Sequence, residues 1–247
     1  MTIPPIPSFL TSFWQDAFSL KQHLREFLNL DEKTLESKLA AGQQEMSELG
    51  HKDFDWEKAT AFYKDQVKNE YLFDLGGWHL TSRDNIGNTL LIIAKYAHGR
   101  VLDFGGGIGT HAIGAALSPN VNQVVYVDIN PINRDFVEFR SKQLGLDKKI
   151  VLSGEIPDLE VFDTIVCFDV LEHLPDPVEQ LLMFHESLDH GGKIILNWCF
   201  FKGFNQEFPF HHDDPQLLNR FFQTLQTKFI EVFHPYLINA RCYQKWS

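Results

Sequence analysis

Apolar residues recur at helical spacing through the first third of the chain. Phe9, Phe13, Phe18, Leu20, Leu24, Phe27 and Leu28 predict an amphipathic helix over residues 8–29. Leu35, Leu39, Met46 and Leu49 predict a second over 31–49, and Trp56, Phe62, Tyr63, Val67 and Tyr71 a third over 55–73. Gly76-Gly77-Trp78-His79 then predicts a turn. Ser82 or Asp84 can cap the next helix, whose apolar run is Leu90 to Ala97 and which ends near Gly99. From Arg100 the pattern changes. Short apolar runs at 100–104, 123–128, 149–152, 162–168 and 192–198 read as strands, with helices at 109–117, 131–144 and 176–189 between them. That alternation predicts an α/β fold with a mostly parallel sheet covered on both faces. Asp176-Pro177-Val178-Glu179 has a cap, an early proline and a Glu three residues after the cap, and His190-Gly191-Gly192 is expected to end that helix. The tail differs: residues 228–235 and 237–246 read as a terminal antiparallel hairpin around His234-Pro235. The expected organisation is an N-terminal helical cap over residues 1–84 and a sheet-containing core over 85–247.

Composition narrows the function classes. The chain has 247 residues, 44% of them hydrophobic, enough for one large domain with a substantial core. Its net charge of −11 argues against a dominant basic surface, so no nucleic-acid partner is expected. Cys167, Cys199 and Cys242 are far apart and follow no zinc spacing, which fits reduced thiols in a cytoplasmic protein. No apolar run reaches about 18 residues, so no membrane span is expected. The opening residues lack the basic region and apolar core of a signal peptide.

The chemistry concentrates at residues 101–109, Val-Leu-Asp-Phe-Gly-Gly-Gly-Ile-Gly. An apolar strand delivers Asp103 to its tip, and a glycine turn opens directly into an apolar helix. Such a turn lets a ligand approach the backbone, at the strand ends where open α/β sheets bind ligands. A dinucleotide fingerprint would place its third glycine at position 110, which is Thr110; here the glycines are Gly105, Gly107 and Gly109. The resulting D-x-G-x-G-x-G resembles motif I of class I S-adenosylmethionine (SAM)-dependent methyltransferases. A buried carboxylate must be paired, and the cationic amino group of SAM is the natural partner for Asp103. Asp128, 25 positions later, ends the second strand, where an acid can accept from both ribose hydroxyls; Ile129 follows it. The alternative role for Asp128 is a cap on the helix starting at Pro131.

Further motifs extend the resemblance over residues 72–198. Glu155 and Ile156 match the acidic and aliphatic pair that the family places on the adenine. The run Phe162 to Leu174 resembles motif IV of small-molecule methyltransferases of the quinone-biosynthesis type. It implies a SAM contact near Phe168 and a family histidine at His173. Tyr71 and Trp78 match aromatics that such enzymes close over the donor. The implied fold is a Rossmann-like seven-stranded sheet, and the implied activity is in-line methyl transfer to a small-molecule acceptor, with O- or N-methylation expected. The long stretch from Asn197 to Pro215 is expected on the acceptor side: Phe201, Phe204, Phe208 and Phe210 could line an apolar cavity, and His211 and His212 join His173 as acid/base candidates. Asp169 and Asn197 resemble two metal ligands of catechol-type O-methyltransferases. The residue before Asn197 is Leu196 where that family has Asp, so no metal is expected. The rival readings are a non-catalytic SAM-binding protein, a metal-assisted O-methyltransferase and an aminopropyl-type transferase on the same fold.

Overall fold

Seven strands hydrogen-bond in the order β3-β2-β1-β4-β5-β7-β6 in a computed structural model that describes residues 6–234 and 240–246. The parallel strands are β1 (Gly99–Phe104), β2 (Val121–Val127), β3 (Ile150–Ser153), β4 (Phe162–Cys167) and β5 (Leu188–Leu196). β7 (Arg241–Lys245) is antiparallel to both β5 and β6 (Phe229–Val232), so the expected hairpin inserts its second strand into the sheet. Its connection at 235–239, including Pro235, lies outside the described residues. Alternating residues feed two cores. Val101, Val124 and Tyr126 face one cluster, and Leu102, Val125 and Val127 face the other, the two-sided burial expected of a parallel sheet. His190-Gly191-Gly192 does not end a helix: α9 (Pro177–Ser187) stops earlier and these residues lie inside β5.

The N-terminal helices depart most from the simple periodic reading. The helix expected over 8–29 splits into α1 (Thr11–Asp16) and α2 (Leu20–Leu28). Between them Ala17, Phe18 and Ser19 all have positive φ, at 55°, 57° and 57°. Two contacts stabilise this costly conformation. The Asp16 carboxylate accepts from the backbone N–H and hydroxyl of Ser19, and the buried Arg140 guanidinium donates to the carbonyls of Ala17 and Phe18.

α3 (Glu32–Asp53) forms as expected, with Asp31 accepting from the Thr34 N–H as its cap. The third expected helix is broken. Trp56–Lys58 is 3₁₀, α4 (Ala59–Ala61) is one short turn, and Phe62–Gln66 is π-helical. The Tyr63 carbonyl there accepts from the Asn130 side chain, a bond across the fold rather than along the helix.

Gly76-Gly77-Trp78-His79 is not a turn. It lies within α5 (Glu70–Thr81), and its glycines serve close helix packing. A Cβ on Gly77 would sit 2.6 Å from the Leu39 carbonyl oxygen of α3, and one on Gly42 of α3 would sit 2.6 Å from the Asp74 amide of α5. α6 (Arg83–Tyr96) follows, with Ser82 at its cap position but no side-chain cap bond. Leu10, Phe13, Leu20 and Leu24 share one core with Ala112 and Ile113 of α7 (Thr110–Leu117) and Phe136 of α8 (Pro131–Gln143). α10 (Pro215–Lys228) is capped by Asp214 and packs against α9 on the opposite face. No helix among the described residues is long and apolar enough to cross a membrane.

Candidate active site

The glycine turn after β1 is clamped on every side. Gly105, Gly107 and Gly109 have φ of 67°, 52° and 75°, the left-handed region that glycine enters without strain. The Gly107 N–H donates to Asp128 Oδ2 at 2.9 Å, and the Gly107 carbonyl accepts from the buried Tyr126 hydroxyl at 2.6 Å. Arg140 donates to the Ile108 carbonyl at 2.7 Å. One guanidinium therefore ties the turn to the strained residues between α1 and α2. Sequence spacing marks neither Tyr126 nor Arg140: Tyr126 falls within the apolar strand run 123–128, and an Arg in a helix reads by default as surface.

Two carboxylates sit at the tips of β1 and β2. Asp128 accepts from Gly107 N–H, Asn130 N–H and the Asn133 side chain, and burial still raises its pKa. The cap of α8 is Asn130, whose side chain accepts from the Ile132 and Asn133 amides, so Asp128 is not needed for that role. Asp103 is only 2% exposed, and its Oδ2 has no hydrogen-bond partner among the described residues. Burial pushes its pKa up to about 7, opposed by a hydrogen bond from the Ala112 backbone. An acid in this state calls for a cation or donor from a ligand.

An open cleft, which the buried Asp103 does not line, runs past the tip of β2. Its wall is formed by Gly105, Asp128 and Ile129 on one side and by Asp169, Val170 and His173 on the other, with Tyr63 and Tyr71 closing over it. Tyr71 thus reaches the cleft, whereas Trp78 lies elsewhere on α5, is 43% exposed and does not line it. Glu155 is exposed in the loop after β3, where Ser153 donates to its carbonyl, and Ile156 is partly buried against the core beneath β4. Phe168 is buried and packs its ring on His111 at 4.5 Å, so any ligand contact there falls to its backbone.

The far wall carries the histidines. His173 Nδ1 lies 2.8 Å from the Tyr63 hydroxyl, and burial drives the His173 pKa well down, so the ring is neutral. His211 is buried behind it with ring centroids 4.5 Å apart, and Phe210 packs on both. His212 points away and stacks on Trp56 at 3.6 Å. Neither His211 nor His212 lines the cleft. The four phenylalanines do not line a cavity together: Phe204 is 93% exposed, Phe201 is half-exposed, Phe208 stacks on His211 and Phe210 packs under the loop. Asp169 and Asn197 satisfy each other. The Asn197 amide donates to Asp169 Oδ1 at 2.7 Å, and the Asp169 N–H donates to Asn197 Oδ1 at 2.6 Å. Cys167, Cys199 and Cys242 are all free thiols.

Comparison with known proteins identifies this architecture. N-methyltransferase NodS from Bradyrhizobium japonicum, in complex with S-adenosyl-L-homocysteine (SAH), shares the fold with a TM-score of 0.51 at 15% identity, covering 87% of this chain and 98% of that one. The tRNA U34 carboxymethyltransferase of Shewanella loihica is 31% identical over 100 residues, 39% of this chain and 30% of that protein. That of Chromohalobacter salexigens is 30% identical over 116 residues, 42% of this chain and 33% of that protein. The chain thus spans about a third of the length of the curated relatives it matches. Their named substrate corrects two expectations: a small-molecule acceptor, which rested on the motif IV resemblance, and no nucleic acid, which rested on net charge, although an overall balance of −11 does not exclude a local binding surface. Residues 78–226, more than half the chain, match the family model of a methyltransferase domain. With its seven-stranded sheet, glycine turn and paired acids, the chain belongs to that methyltransferase-domain family, the class I SAM-dependent methyltransferases.

Proposed function

We propose that the chain binds SAM at the tips of β1 and β2 and transfers its methyl group to a tRNA base. The observation that carries the donor assignment is the buried, unpartnered oxygen of Asp103 beside the glycine turn. A carboxyl group there suits the ammonium of SAM, while Asp128, which already accepts three hydrogen bonds, has one acceptor site left for a ribose hydroxyl. When bound, SAM supplies a sulfonium-activated methyl group. The chain's own contribution is alignment, worth on the order of 7–11 kcal/mol in well-oriented reactions. The tRNA acceptor is carried over from the named relatives. It is supported by the cleft mouth, where Tyr63, Tyr71 and the neutral His173 offer flat rings on which an extruded base can stack.

The donor assignment has a pH signature. The Asp103 pKa in the unliganded fold, about 7, exceeds the ordinary value of 3.8. The folded state therefore holds a proton that the unfolded chain has lost between those values. This group's contribution to stability is full below about pH 4 and is lost as pH rises through 7. Bound SAM favours the charged carboxylate, so its affinity should weaken as pH falls below 7. Asp103→Asn should melt higher than wild type without ligand at pH 8, yet bind SAM at least tenfold more weakly. Melting curves and calorimetric titrations at pH 6 and 8 check both, and a wild-type affinity equal at the two pH values would contradict the pairing.

The acceptor is tested by incubating the chain with methyl-labelled SAM and unmodified tRNA, then digesting the RNA to nucleosides. Label in a nucleoside is expected. Persistent SAH binding with no label in RNA would overturn the acceptor and leave the donor site standing.

A further inference from the structure

Beside the cleft lies a cluster that the donor site does not use and that shares only His173 with the cleft wall. Glu172 and His173 come from the 3₁₀ turn Leu171–His173 after β4, and His211 comes from the loop before α10. Their ligating atoms lie within 4.8 Å of one another. The loop is pinned to the turn twice: the His212 N–H donates to the Glu172 carbonyl at 3.1 Å, and the Cys199 N–H donates to Glu172 Oε1 at 3.0 Å. The second oxygen, Glu172 Oε2, is buried with no hydrogen-bond partner among the described residues, in a side chain only 1% exposed. His211 Nδ1 lies 3.0 Å from the Phe201 carbonyl, which can only accept; Nδ1 therefore carries the proton and Nε2 keeps its lone pair.

We propose that Glu172, His173 and His211 form a binding site for a first-row divalent metal ion. Two imidazoles and one carboxylate are a donor set for Zn²⁺, Mn²⁺ or Fe²⁺, whereas Mg²⁺ and Ca²⁺ take oxygen ligands. Ligands bound at about 2.0–2.2 Å in a tetrahedron sit roughly 3.4 Å apart, so the three ligating atoms need close by at most about 1.4 Å. A metal satisfies the orphaned Glu172 oxygen, and burial, which pushes the Glu172 pKa up to about 8, ceases to disfavour its charge once a cation is beside it. For His173 to ligate through Nδ1, the Tyr63 hydroxyl must give up its contact with that nitrogen. The Phe201 carbonyl orients His211 in the manner of an outer-shell partner. His173 also lines the cleft, so an open coordination position there would face the acceptor and could lower the pKa of its reacting group. That use rests on the proposed function; the binding itself does not.

The test titrates chelator-stripped full chain with Zn²⁺, Mn²⁺ and Mg²⁺ in the absence of SAM. One equivalent of Zn²⁺ or Mn²⁺ is expected to bind, with Mg²⁺ at least tenfold weaker. Glu172→Gln and His211→Ala should each lose at least tenfold in affinity, while His212→Ala, whose ring faces Trp56, stays at the wild-type value. Circular dichroism checks that each variant folds. If the two site variants do not, Mn²⁺ added to wild type should selectively broaden the ring resonances of His173 and His211. Absence of one-to-one binding, undiminished binding in a folded Glu172→Gln chain, or no broadening at these two rings would overturn the site. SAH binding by the same metal-free protein keeps that outcome distinct from a failure of the donor assignment.

Discussion

Asp128→Ala is expected to weaken SAM binding roughly 100- to 1,000-fold. A hydrogen bond to a charged group contributes about 1.5–3 kcal/mol. The substitution removes the acceptor for a ribose hydroxyl and also frees the Gly107 N–H that Asp128 holds at 2.9 Å. Loss of both the ligand contact and the clamp on the glycine turn gives about 3–4 kcal/mol. The fold should survive, because Asp128 lies beyond the end of β2 and belongs to neither hydrophobic core of the sheet. Asp128→Asn, which retains one acceptor, should fall between wild type and alanine. Calorimetric titration with SAM, alongside circular dichroism, measures the effect. An affinity within threefold of wild type in a folded Asp128→Ala chain would remove Asp128 from the ribose site.

Arg140→Met should be the most destabilising single change away from the cleft. Arg140 is fully buried and donates to three carbonyls, those of Ala17, Phe18 and Ile108. Methionine fills much of the volume but leaves all three acceptors without their donor. Each buried acceptor left without its donor costs about 1–3 kcal/mol, so a loss of about 3–5 kcal/mol is expected, which lowers the melting temperature by roughly 10 °C in a chain of this size. The left-handed run Ala17-Phe18-Ser19 then loses the contact that offsets its strain. Because the Ile108 carbonyl belongs to the glycine turn, SAM affinity should fall as well, and saturating SAM should recover part of the lost melting temperature. A melting temperature within 2 °C of wild type would show that the guanidinium does not hold these segments together.

The sheet was legible because its signals are local. Strand tips carrying Asp103 and Asp128, and caps such as Asn130-Pro131 and Asp176-Pro177, act within a few residues. The N-terminal third was less legible for the opposite reason. The break at Ala17–Ser19 answers to Arg140, more than 120 positions away, and the Tyr63 carbonyl freed in the π-helical turn answers to Asn130. Gly76 and Gly77 have the composition of a turn, yet they lie within α5, where their missing side chains let Leu39 of α3 approach. Within the site, the turn glycines and the two acids were readable from spacing, and Tyr71 was placed on the cleft by resemblance. Trp78 lies on nearly the same face of α5 as Tyr71 but two turns, about 10.5 Å, farther along the helix, and does not line the cleft. His211 and His212 could not be separated by sequence. Adjacent side chains diverge, and only the fold shows one ring turned in to His173 and the other out to Trp56. Net charge does not decide the acceptor, because it averages over a surface of which a binding site uses a small part.

The central claim, that the tips of β1 and β2 hold SAM, is tested most directly by titrating the unliganded chain with SAH and with NAD(H) under the same conditions. SAH is expected to bind one to one and to raise the melting temperature by several degrees, with NAD(H) doing neither. A melting shift with NAD(H) and none with SAH would contradict the assignment of the glycine turn and its two acids to SAM.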